Sequence, residues 1–143
     1  MGWFSKGKSE EKSRVESIEL GTRIIHMQFE LGGALKDFYA RSHTYYALGY
    51  CFGVYQAAIE VAKNGKVSAE EYDAHIRQGF AAAFLSERMG NENFSMIRNH
   101  IQHAECLAGR VDGAQEYLDI YQKKEERPYA LAQFLLSGVY PVR

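Results

Sequence analysis

Between Thr44 and Ile59 no residue is charged, and the surrounding stretch Ala34–Lys63 contains no proline. Apolar and aromatic side chains point in almost every direction when this stretch is drawn as a helix. A helix that is hydrophobic all round belongs in the middle of a bundle. The uncharged run is shorter than the about 20 apolar residues that cross a bilayer, and it contains Gln56, so it reads as core. Tyr45, Gly49, Gly53 and Ala57 fall four apart. That spacing makes a narrow strip where a second helix backbone can come close.

Around this segment the pattern stays helical. Ser13-Arg14-Val15-Glu16 has the form of a capping box and predicts a first helix from there to Gly32-Gly33. That helix carries two apolar stripes, one through Val15, Ile18, Ile25 and Phe29, the other through Leu20, Ile24, Met27 and Leu31. Asn64-Gly65 is a helix stop, since both residues tolerate the left-handed conformation. Ser68-Ala69-Glu70-Glu71 is a second capping box and predicts a third helix that ends at Met89-Gly90-Asn91. From Glu92 to Glu126 near-heptad spacing predicts one long helix, with Gly109 and Gly113 marking a bend or the close approach of a neighbour, and with a split near Arg110–Gly113 into two shorter helices as the alternative. Pro128 opens a short last helix and Gly138 closes it. No segment sustains the alternation of a strand. The expected fold is all-α: a flexible leader at 1–12, then one domain at 13–143, a bundle of about five helices around a buried central helix at 34–63.

Composition narrows the function. With 17 basic and 18 acidic residues and a formal charge of −1, the chain lacks the basic excess that nucleic-acid binding draws on. Cys51 and Cys106 sit in apolar helical contexts, far from one another and from any metal or redox motif. They read as buried reduced thiols of a cytoplasmic protein. The first residues pass from Trp3-Phe4 straight into charge, without the apolar stretch of a secretory signal. Trp3 and Phe4 beside Lys6 and Lys8 are the one candidate for peripheral membrane contact, against the plainer reading of a frayed terminus.

Few residues carry chemistry. His26 and Glu30 are spaced i, i+4, and His100 and His103 i, i+3, so these four are the candidate metal ligands if two helices bring them together. A di-iron bundle uses Glu-x-x-His motifs, and none occurs here; no cofactor is expected. There is no nucleophile elbow or phosphate-binding glycine loop either. The segment Glu60–Glu71, EVAKNGKVSAEE, resembles an EF-hand loop in outline, with glycine at its sixth position and glutamate at its twelfth. It departs from that loop at the first and third positions, Glu60 and Ala62. The same residues resemble the helix–Asp-Gly–helix turn of tellurite-resistance TerB-like bundles, with Asn64 in place of the aspartate. Both likenesses cover twelve residues, which a helix stop followed by a capping box also produces, and neither assigns a family.

Aromatic content is the remaining signal. The chain has ten tyrosines, with five of them between Tyr39 and Tyr55 and a Tyr117–Tyr121 pair at i, i+4. Amphipathic rings collect at boundaries and interfaces. The expected function is a non-enzymatic interaction or regulatory module that binds a protein partner or a second copy of itself, with Ile25, Phe29, Tyr117 and Tyr121 as contact candidates. The alternative is a bundle that binds a metal or small molecule through His26, Glu30, His100 and His103.

Overall fold

A computed structural model describes residues 3–125 and 127–141, the side chains of residues 3–8 excepted. Among the described residues there are seven helices and no strand. They are α1 (Trp3–Gly32), α2 (Phe38–Ser42), α3 (Tyr45–Ala62), α4 (Ala69–Ala83), α5 (Glu87–Arg98), α6 (Ala104–Tyr121) and α7 (Ala130–Ser137). The fold is all-α, as the pattern predicts. No described helix is long and apolar enough to cross a membrane.

The uncharged run becomes α3, and residues 46–55 of it are buried without exception. It is held between α6 on one side and α1 and α4 on the others. The closest contact is with α6, which runs parallel to it. Gly49 and Gly53 of α3 face the Cys106 and Arg110 backbone, and Gly109 and Gly113 of α6 face the Tyr46 and Tyr50 backbone. A methyl group added at Gly53 would lie 2.7 Å from the Arg110 Cα, and one at Gly49 would lie 2.9 Å from the Cys106 Cα. Side chains at these positions would hold the two helices apart. The strip of small residues is therefore a true close approach, and α6 runs unbroken through both of its glycines.

Several boundaries differ from expectation, each for a local reason. The helix at 34–63 is two helices. Thr44 takes an extended conformation and its hydroxyl accepts from the Ala47 amide, so it caps α3 and separates it from α2. Such side-chain bonding to a neighbouring amide competes with helix continuation. Ser13 is not a cap, because α1 is already helical at that point. Arg14 instead pairs with Glu11 at 2.8 Å and donates to Gln78 Oε1 of α4 at 2.7 Å. Met1 and Gly2 of the expected leader lie outside the described residues, as do the Trp3 and Phe4 side chains.

The third helix stops earlier than Met89. Leu85 adopts φ 54° and Ser86 caps a new helix by accepting from the Met89 amide. Gly90, read as a stop, lies inside α5, where an added methyl group would lie 2.6 Å from the Ala81 Cα. The long helix at 92–126 breaks at 99–103, where His103 Nδ1 accepts from the Glu105 amide to start α6. Elsewhere the signals hold. Asn64 and Gly65 have φ 52° and 79°, Ser68 and Glu71 form a complete capping box, and Gly138 ends α7 at φ 79°.

Candidate functional site

The four candidate metal ligands do not converge. His26 Nε2 lies 2.9 Å from the Ala83 carbonyl, on the α1–α4 side of the bundle, and Glu30 is exposed. His100 and His103 flank Tyr45, with ring centroids 5.0 and 4.3 Å from it. His100 Nδ1 meets the Met96 carbonyl and His103 Nδ1 caps α6. Among the described residues no three His, Cys, Asp or Glu side chains are grouped to hold a metal ion. In the calcium-loop lookalike, the Glu71 carboxylate is already engaged by Lys63 Nζ at 2.6 Å and by the Ser68 amide.

The four contact candidates divide. Ile25 and Tyr117 are core residues of this chain, 0% and 1% exposed. The double stripe of α1 is covered only in part from within. Helices α3, α4 and α7 pack on α1, where Ile24 and Ile25 are buried and Ile18, Leu20 and Phe29 half-buried, while Val15, Met27 and Leu31 stay exposed. Phe29 is half-buried against Phe38 and Phe84, with ring centroids 5.5 and 5.9 Å away. Only Tyr121 stands out, 53% exposed and stacked on Tyr117 at 6.2 Å with 9° between the rings. This pair forms one wall of a groove of about 490 Å³. Ser17, Leu20 and Arg23 of α1 form the other wall, and Val61 at the end of α3 lies between them.

The buried tyrosines of α3 have a structural use. Tyr46 donates to Asp112 Oδ2 at 2.7 Å and Tyr50 to Glu116 Oε1 at 2.6 Å. Two tyrosines four apart on α3 thus meet two carboxylates four apart on α6, alongside the glycine contact. Glu116 also accepts from the Tyr129 and Ala130 amides at the start of α7, and Gln28 of α1 accepts from the Ala132 amide. The unpaired amides of that helix end favour a carboxylate beside them. Burial raises the Glu116 pKa, against the lowering pull of these donors, and pushes Tyr50 well up. Burial likewise raises the Cys51 and Cys106 thiols, so neither is an activated nucleophile.

Sequence reasoning missed His75. It lies on α4, 1% exposed, and both ring nitrogens lack a hydrogen-bond partner. Burial, with Arg14 nearby, depresses its pKa to about 4. It lines a pocket of about 340 Å³ together with Glu10, Lys63 and Glu71. Its position beside core Ile76 and four residues before Gly79, which packs on the Tyr55 ring, was the available signal.

No family model matches this chain, and no curated protein or solved structure is significantly similar to it.

Proposed function

We propose that the chain is a non-enzymatic helical interaction module that receives an amphipathic helix of a protein partner in the groove between α1 and α6. The observation that carries this reading is the Tyr117–Tyr121 stack, with one ring locked in the core and the other half in solvent along the groove. A ring pre-ordered by such a neighbour loses little freedom on binding, and aromatic anchors concentrate interface energy. Leu20 and Val61 offer apolar surface for side chains at i and i+4 of an incoming helix. Arg23, exposed and in no ion pair among the described residues, selects a partner with a carboxylate at the groove's edge.

The high thiol pKa values and the consumption of the buried carboxylates in structural bonds support a binding role over a catalytic one. Two buried thiols without a disulfide support a reducing, cytoplasmic setting.

The test is a photo-crosslinking residue at Tyr121 in the intact chain in cells, with the same residue at Glu87 of α5 as control. The reading expects a discrete adduct at Tyr121, absent at Glu87 and lost when Arg23 is changed to Glu. An adduct twice the chain's mass would identify the partner as a second copy. Equal labelling at both positions would overturn the proposal.

A further inference from the structure

On the face formed by α3, α4, α5 and α6 lies a separate cleft of about 290 Å³. It is lined by half-buried Ile101 and Tyr72 and by buried Phe52 and Ile76, and its charges come from Arg98, Arg110 and Asp73. Arg110 is held in place: its guanidinium sits over the Phe52 ring at 5.2 Å, and Nη2 donates to Gln56 Oε1 at 3.2 Å. It makes no ion pair among the described residues, and its Nε–H is buried with no acceptor. Arg98, the last residue of α5, meets Asp73 through one contact of 3.3 Å, with both side chains about half exposed.

A guanidinium held in place by Phe52 and Gln56 yet paired with no carboxylate among the described residues loses little freedom on meeting one, and its planar fork matches a carboxylate. We infer that this cleft binds a small organic carboxylate, whose charged group sits between Arg110 and Arg98 and whose apolar body lies against Ile101 and Tyr72. Charge and size argue for this class. Two guanidinium groups against one carboxylate leave the lining at +1, which a monoanion neutralises and a phosphate dianion overshoots. The volume falls just short of the ~300–1,000 Å³ of small-molecule sites and so limits the ligand to a small one, and the Ile101 and Tyr72 side chains suit a carbon body over a bare inorganic ion. Asp73 acts as the internal competitor, occupying Arg98 until the ligand arrives. This inference is independent of the α1–α6 groove, with which the cleft shares no residue.

The experiment is a titration of the full chain with sodium benzoate, followed by amide chemical shifts at constant ionic strength. Benzamide and inorganic phosphate serve as parallel probes. Benzoate is expected to give saturable shifts at Gln56, Asp73 and Gln102, and benzamide and phosphate are not. Arg110→Lys keeps the charge but removes the fork, and should weaken binding by roughly tenfold. Should that variant fail to fold, Arg98→Gln, at an exposed position, is expected to weaken binding several-fold. Asp73→Asn is expected to tighten binding, an effect that a merely structural role for these residues would not produce. The inference is overturned by benzamide or phosphate matching benzoate, by absence of saturable shifts, or by unchanged affinity in Asp73→Asn.

Discussion

The Tyr50 hydroxyl donates to Glu116 Oε1 across 2.6 Å while accepting from Gln28 Nε2 at 2.8 Å. Helices α1, α3 and α6 therefore meet at one hydroxyl, and α7 joins them through the Tyr129 and Ala130 amides on the same carboxylate. The whole assembly is enclosed, with Tyr50 and Gln28 each 0% exposed. A polar cluster buried in this way stabilises the fold only while every member is satisfied.

Removing the carboxylate tests that arrangement. Glu116→Ala strips the acceptor from the Tyr50 hydroxyl and from two amides of α7, and should cost roughly 2–4 kcal/mol of stability. The loss should be uneven. Hydrogen exchange at Ala130–Ser137 is expected to rise more than exchange in α3, because α7 loses its anchor. Glu116→Gln keeps one acceptor oxygen and should fall in between. Uniform exchange across α3 and α7 in the alanine variant would show that Glu116 is not what holds α7.

The glycine contact between α3 and α6 predicts a sign opposite to helix propensity. Alanine in place of glycine gains about 1 kcal/mol in an exposed helix interior. At Gly109 the added methyl group would lie 2.7 Å from the Tyr50 amide nitrogen, and at Gly53 2.7 Å from the Arg110 Cα. Backbone cannot rotate aside, so overpacking of about 3 kcal/mol or more should win. Gly109→Ala and Gly53→Ala are each expected to lower the urea midpoint clearly. A neutral or raised midpoint would mean that the helices separate without cost.

His75 sets an acid sensitivity. Burial lowers its pKa in the folded chain to about 4, from the 6.5 usual for histidine. The unfolded chain therefore takes up the proton first, and stability is lost as pH falls from about 6.5 towards 4. At about 1.4 kcal/mol per pKa unit the loss attributable to this group reaches about 3 kcal/mol. Glu116 acts with the opposite sign, since its raised pKa gives stability that is lost as pH rises. The clean measurement is thus a difference: His75→Leu should show a flatter fall in stability than the parent chain between pH 6.5 and 4. Parallel curves would place the acid sensitivity elsewhere.

What was readable in the chain follows what is local. The uncharged run from Thr44, the Asn64-Gly65 stop and the Ser68 capping box each depend on neighbours within four residues, and each reappears in the structure. Glycines were ambiguous because one residue type serves two purposes. Gly65 and Gly138 permit a left-handed turn, whereas Gly90 and Gly109 admit a backbone from another helix. The breaks at Ser86 and 99–103 went unseen because the flanking residues continue a helical spacing, and a single side-chain cap decides the matter. The candidate sites were less legible still. Arg110 meets Gln56 from 54 positions away, and Tyr50 meets Glu116 from 66. Such pairings exist only once α3 and α6 have come together.

Ile25 and Tyr121 separate the two ways in which an apolar residue can matter here. Ile25 is fully enclosed among the chain's own helices, so Ile25→Asp buries an unpaired charge and should abolish folding whatever the chain binds. Tyr121 is 53% exposed, and replacing it sacrifices mainly its stack on Tyr117. Tyr121→Asp should therefore keep the helical signal and cost only about 0.5–1.5 kcal/mol, while abolishing crosslinked adducts formed by a probe placed at Glu16, an exposed residue lining the same groove. Native mass spectrometry and circular dichroism on both variants decide the point. An unfolded Tyr121→Asp would make that ring part of the core, whereas a folded variant that still forms the Glu16 adduct would remove it from the interface.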